Sequence, residues 1–236
     1  MKLALIGYPI KHSLSPSLYQ KILGDKLSHY NLIEVENPKE VPRLEDLLLK
    51  YDGINITAPY KRFYFDQVKI ESKIVMEIGA INTIGFNQNG IYGTNTDILA
   101  VEEILANYQK SFPNVTLLIL GDGVMAKVIV IVANKFKIPF KQFSRRAYGD
   151  ISDLDLNQYQ DSQWQTIVVN CCSRNFEFKG KLNPDFIFWD LNYSFPPHKL
   201  VLPDQVKIYQ DGEEMLYLQA KAAVHFWQVI NPKLKS

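Results

Sequence analysis

The stretch Leu118-Ile119-Leu120-Gly121-Asp122-Gly123-Val124-Met125-Ala126 constrains the chain more than any other. An apolar run stops at two nearby glycines and resumes in helix-forming residues. The pattern is strand, then G-x-G-x-x-A, then helix. Gly121 permits the tight turn, Gly123 lets the backbone approach a pyrophosphate, and Ala126 lets the helix lie close on the strand. The first helical turn leaves N–H groups unpaired towards an anion. We expect a strand over Leu117–Leu120, a helix from about Met125 to Phe136, and a dinucleotide held by Gly121, Asp122, Gly123, Val124, Met125 and Ala126. A plain strand-to-helix turn would share the pattern. Asp122 is awkward, because a carboxylate beside two phosphates repels them unless it points to solvent.

The next strand, Pro139 to Phe143, runs into Ser144-Arg145-Arg146. An NAD site would place a carboxylate there, on the ribose hydroxyls. Two guanidinium groups suit a 2′-phosphate instead. The expected cofactor is therefore NADP (as NADPH), with a solvated basic turn as the alternative.

Strands Leu3–Ile6, His29–Val35, Gly53–Thr57, Thr166–Asn170 and Phe186–Leu191 alternate with helical patterns. That alternation implies α/β architecture with parallel sheets. A helix opens at Ser15-Pro16 with Leu18, Ile22 and Leu27 facing a core. A second spans Val41 to Lys50 with Leu44, Leu47 and Leu48 on one face. A last one carries Met215, Leu218, Ala222 and Phe226 on one side. A hairpin is expected around Asn87-Gln88-Asn89, and Asp97 opens another helix.

With 236 residues, the chain has room for two small domains. A net charge of +1 excludes broad steering towards nucleic acid or an anionic membrane. No segment reads as a leader or a membrane span. Cys171 and Cys172, being neighbours, read as reduced thiols of a cytoplasmic protein.

Four segments rich in small polar groups sit at strand ends: His12–Pro16, Asn55–Lys61, Gly79–Thr83 and Gly93–Asp97. Ligands of open α/β sheets bind there. Hydroxyls, amides, one ammonium and one carboxylate suit a small polyhydroxylated acid. Taken singly, Ser15 reads as a helix cap, Lys61 as a solvated lysine, Asp97 as an N-cap, and Asn82 and Asn95 as turn residues.

Together and in this order, the segments resemble the shikimate dehydrogenase family. The shared blocks are G-Y-P-I-K-H-S-L-S-P at Gly7–Pro16, N-I-T-A-P-Y-K at Asn55–Lys61, G-A-I-N-T at Gly79–Thr83 and G-T-N-T-D at Gly93–Asp97. The glycine loop, D-L-N-Y at Asp190–Tyr193 and M-L-Y-L-Q-A at Met215–Ala220 continue the series. The resemblance implies a Lys61–Asp97 catalytic pair and substrate ligands Ser13, Ser15, Thr57, Asn82, Tyr193 and Gln219, together with Lys61 and Asp97. It implies that Asn170, Leu191 and Gly212 join Ser144, Arg145, Arg146 and the glycine loop at the cofactor. It implies an N-terminal α/β substrate domain over 1–98, completed by the helix 212–236, and a Rossmann-type doubly wound NADP domain over 99–211. The implied reaction is reversible NADPH-dependent reduction of 3-dehydroshikimate to shikimate, in chorismate and aromatic amino acid biosynthesis, without a metal. Monomer and homodimer both stay open. So do a quinate-type paralogue using NAD or NADP, and a ligand-binding relative that turns over poorly. Departures from the family pattern fall in the cofactor half: Asp122 and Val124 in the loop, Ser144-Arg145-Arg146, Asn170-Cys171-Cys172-Ser173, and Glu214.

Overall fold

The computed structural model describes residues 1–235. In chain order the elements are β1 (Lys2–Gly7), α1 (Ser15–Leu23), β2 (His29–Glu34), α2 (Leu44–Leu48), β3 (Gly53–Ile56), α3 (Lys73–Ile78), β4 (Thr83–Asn87), β5 (Gly90–Thr94) and α4 (Asp97–Ser111). They continue with β6 (Val115–Leu120), α5 (Val124–Lys135), β7 (Phe140–Phe143), α6 (Arg145–Tyr148), β8 (Gln165–Asn170), β9 (Ile187–Asp190), α7 (Pro196–Lys199), β10 (Ile208–Gln210) and α8 (Glu213–Ile230). The chain divides into two compact units, one of Met1–Leu99 plus the chain from Tyr217 onward, the other of Ala100–Leu216. The division thus falls inside α8 rather than at 212.

The first unit holds a sheet of order β2-β1-β3-β4-β5. β1 runs parallel to β2 and β3, and the β4–β5 hairpin is antiparallel. Leu3, Ala4, Leu5 and Ile6 are all buried, as expected for a strand covered on both faces. The core joins Leu3, Tyr19, Leu27, Ala220, Ala223 and Trp227.

The second unit holds an all-parallel sheet of order β10-β9-β8-β6-β7. The β7–β8 connection carries the single turn of α6 and a 3-10 turn at Asn157–Tyr159, and no α-helix links β8 to β9. Ile151, Leu156 and Phe178 from these connections pack on Leu118, Val168 and Phe188 of the sheet. Loops therefore close a face that helices cover in most doubly wound sheets.

Several sequence expectations need correction. Helix α1 buries Ser15, Tyr19 and Leu23, so Leu18 and Ile22 lie half-buried at its flank. Helix α2 has five residues, because Val41, before Pro42, and Arg43 are extended. In α8 the buried face is Met215, Leu218, Ala220, Ala223, Val224 and Trp227, with Ala222 and Phe226 half-buried beside it. Helix α3 was not expected, although Ser72 caps it on Val75 N and Gly79 ends it at φ 69°. No helix among the described residues is long and apolar enough to cross a membrane.

Candidate active site

In the first unit, the Lys61 ammonium lies 2.6 Å from Asp97 Oδ2. Their side chains are only 15% and 8% exposed. Thirty-six residues separate them along the chain, so backbone pinning has to bring them together. Lys61 follows the turn after β3: Tyr60 N donates to Thr57 O at 2.9 Å, and Ile81 N donates to Lys61 O at 2.8 Å. Tyr60 anchors the turn by donating its hydroxyl to Val35 O at 2.7 Å. Asp97 opens α4, but Asn95 does the capping. Asn95 Oδ1 accepts from Asp97 N at 3.2 Å while its Nδ2 donates to Ala80 O at 3.1 Å. The Asp97 carboxylate is thereby left for the lysine.

Asn82 is buried, and its Oδ1 accepts from Thr96 N at 2.8 Å, Thr83 Oγ1 at 3.0 Å and Thr96 Oγ1 at 3.2 Å. Its oxygen is thus committed, and its NH2 is the group with donating capacity for a ligand. Thr96 Oγ1 also reaches Gln219 Oε1 at 3.4 Å, which links α8 to this cluster. Ser13 Oγ donates to Ser15 Oγ at 3.1 Å and accepts from Ser15 N at 3.2 Å. Leu14 occupies the N-cap position of α1 with no side-chain cap, so Ser15 does not make the cap expected of it, and Ser13 Oγ meets the first helical N–H instead. Thr57 is half-buried and abuts Gly7, where a Cβ would sit 2.2 Å from its methyl. Asn95 and Thr96 are the residues that sequence reasoning undervalued; both lay in the quoted G-T-N-T-D block.

In the second unit, a cleft of about 630 Å³ is lined by Gly121, Asp122, Gly123, Arg145, Cys171 and Cys172 among others. Gly121 turns at φ 108°, a left-handed geometry that favours glycine. Its N–H donates to Phe143 O at 2.8 Å, and Gln142 Nε2 donates to its carbonyl at 2.8 Å. Gly123 is the N-cap of α5, with nothing within 4 Å of where a Cβ would point. Val124 and Met125 form the half-buried first turn, and Ala126 is fully buried beneath it. Open space above Gly123, the N-terminus of a twelve-residue helix and Arg145 at the rim fit a dinucleotide phosphate.

The rest of the expected cofactor set separates. Ser144 Oγ caps α6 by accepting from Ala147 N, so it is engaged locally. Arg145 lines the cleft, and Arg146 is exposed outside its lining. Asn170 is fully buried, with Nδ2 donating to Asp190 Oδ1 at 2.9 Å and Oδ1 accepting from Cys172 N at 3.1 Å. Its amide holds strand ends together through both its nitrogen and its oxygen. Gly212 lies against Leu191, where a Cβ would meet the Leu191 carbonyl at 2.4 Å, and its N–H donates to Asn192 O at 3.2 Å. Tyr193 follows in the same loop, its carbonyl accepting from Arg174 Nη1 at 2.6 Å. Burial pushes the Cys171 thiol well up and the Cys172 thiol up to about 11, so both are protonated near neutrality.

Asp122 is exposed at the cleft wall. Asp122→Asn is expected to tighten NADPH binding roughly threefold, the scale of an exposed charge–charge term. Titration calorimetry checks this, and an unchanged Kd means that the carboxylate faces water.

The first part of the chain, residues 5–84, matches the family model described as shikimate dehydrogenase substrate binding domain. A Clostridium perfringens (strain 13 / Type A) protein named shikimate dehydrogenase (NADP(+)) is 32% identical, over 98% of this chain and 93% of its own. A Helicobacter pylori protein of the same name is 30% identical, over 92% and 88%. Among solved structures, Thermus thermophilus shikimate 5-dehydrogenase in complex with NADP(H) and shikimate superposes with a TM-score of 0.71 at 20% identity, covering 97% of this chain and 94% of that one. The chain belongs to the shikimate dehydrogenase family.

Proposed function

We propose that this chain catalyses the reversible NADPH-dependent reduction of 3-dehydroshikimate to shikimate, a step towards chorismate and the aromatic amino acids. The observation that carries the reading is the buried Lys61–Asp97 pair at 2.6 Å. The first unit serves as the substrate domain and the second as the NADP domain. Bound NADPH supplies the hydride. As the ketone is reduced, negative charge grows on its oxygen, and the Lys61 ammonium stabilises that charge and delivers a proton. Asp97 orients Lys61 and accepts from a ring hydroxyl. In the oxidative direction, neutral Lys61 takes the hydroxyl proton. Ser13 and Ser15 offer paired hydroxyls to a carboxylate, and Thr57, Asn82 and Gln219 offer polar groups to the ring. Tyr193 completes the proposed substrate set. We place the protein in the cytoplasm, as a monomer or homodimer.

Of the two arginines, Arg145 is the one whose position supports contact with the 2′-phosphate. Arg145→Ala is expected to weaken NADPH binding by about 1.5–3 kcal/mol, or roughly ten- to a hundredfold, the range for a charged hydrogen bond. Arg146→Ala is expected to change it less than about threefold. Equal losses in the two variants contradict this assignment. The reaction itself is tested by following NADP reduction optically with shikimate, then with quinate, then with NAD replacing NADP. Faster turnover of quinate, or of NAD, reassigns the enzyme. Shikimate binding without turnover makes it a binding protein.

A further inference from the structure

The second unit buries a hydrogen-bond network around one carboxylate that the proposed chemistry does not use. Asp190, at the end of β9, is fully buried, and its carboxylate gathers donors from three elements. Oδ1 accepts from Asn170 Nδ2 at 2.9 Å, Asn192 N at 2.9 Å and Asn192 Nδ2 at 3.0 Å. Oδ2 faces His198 Nδ1 at 2.6 Å and the Tyr209 hydroxyl at 3.4 Å. His198, in α7, is fully buried as well, and its Nε2 accepts from Phe178 N at 2.8 Å. An acceptor at Nε2 places the single ring proton on Nδ1, so a neutral imidazole donates to Asp190. Phe195 and Phe188 hold the ring edge-on at 4.8 and 5.7 Å.

We propose that His198 is a positioning residue for the Leu191–Tyr193 loop, which the family resemblance puts at the cofactor, acting through Asp190. The proposal rests on the reading of the second unit as the NADP domain. The path is short. His198 orients the Asp190 carboxylate, Asp190 holds both the main-chain and the side-chain nitrogen of Asn192, and Asn192 O accepts from Gly212 N at 3.2 Å. Arg174 fixes the same loop from outside, donating to Tyr193 O at 2.6 Å and Ser194 O at 3.0 Å. Bonds of this kind set ring and loop orientation without touching the ligand, as outer partners of metal ligands do. Leu191 and Gly212 are backbone positions that the family resemblance puts at the cofactor, so play in this loop is play at the cofactor site.

Three variants test it. His198→Leu keeps bulk but removes both hydrogen bonds, and His198→Gln keeps one donor and one acceptor. His198→Asn is the shorter amide, used if the leucine variant does not accumulate folded. Three readouts are followed: NADPH binding by calorimetry, amide hydrogen exchange at Asn192 and Gly212 against β6 and α5, and KM for shikimate. In His198→Leu, Kd for NADPH is expected to rise about tenfold or more, the scale of a misplaced contact. Exchange at Asn192 and Gly212 should quicken by a similar factor while β6 and α5 stay protected. The KM for shikimate should move less than about twofold, since its proposed ligands apart from Tyr193 lie in the first unit. His198→Gln should return the first two readouts to within about threefold of wild type. His198→Asn should fall between. Unchanged exchange in the leucine variant overturns the proposal. So does an equal rise in β6 and α5, or a glutamine variant as impaired as the leucine one. If the wild-type protein binds no NADPH, the cofactor reading fails. Exchange at Asn192 and Gly212 still decides whether His198 fixes the loop.

Discussion

Lys61→Ala lowers kcat at least about a hundredfold, the usual scale of acid–base assistance, and leaves KM for shikimate within a few-fold. The expectation follows from geometry. The ammonium is 15% exposed and held at 2.6 Å by a carboxylate that is 8% exposed. Removing Lys61 takes away the proposed proton donor and leaves a mostly buried carboxylate without its counter-ion. Some loss of stability in the first unit should accompany the loss of rate. Initial rates of NADP reduction with shikimate check the prediction. Turnover within about threefold of wild type removes Lys61 from the chemistry.

Trp227→Ala is expected to destabilise the first unit strongly. The indole is fully buried and donates from Nε1 to Ile84 O at 2.8 Å. Its ring centroid lies 5.7 Å from that of Tyr19. It fills the space left by Gly53, where a Cβ would fall 2.5 Å from the ring. Truncating a buried aromatic side chain costs about 3–5 kcal/mol through lost burial and the cavity left behind. Whole domains are stable by only about 5–15 kcal/mol, so the first unit becomes marginal. A fall in Tm of roughly 10–20 °C is expected by scanning calorimetry. A fall below about 5 °C would mean that the neighbours collapse into the space and that the indole is not a keystone.

The parallel strands were legible because both their faces are buried. Leu3–Ile6 and Leu117–Leu120 are continuous apolar runs with nothing polar to accommodate. The glycine loop was legible because its constraints are local: a left-handed turn, an open approach and a close helix. Partnerships between distant residues were not. Nothing in the spacing of Gly53 and Trp227 says that one makes room for the other. His198 reads as an ordinary residue of a proline-rich stretch until Asp190 and Phe178 converge on it. Caps were misassigned by one or two residues for the same reason. Ser13 and Ser15 both carry hydroxyls, Asn95 and Asp97 both carry side-chain acceptor oxygens, and only the backbone path decides which accepts. Arg145 and Arg146 are adjacent in sequence and chemically identical, and the single turn of α6 separates them.

The helix bearing Trp227 has a consequence for biosynthesis. The second unit is one unbroken stretch, and its strands are all translated before α8. The first unit is begun earliest and finished last. While the ribosome works through the middle of the message, the nascent N-terminal sheet waits with Gly53 and Tyr19 facing an empty seat, a natural client for a chaperone. Only when α8 emerges can that half become native, so premature termination yields an unfinished first unit beside a completed second one.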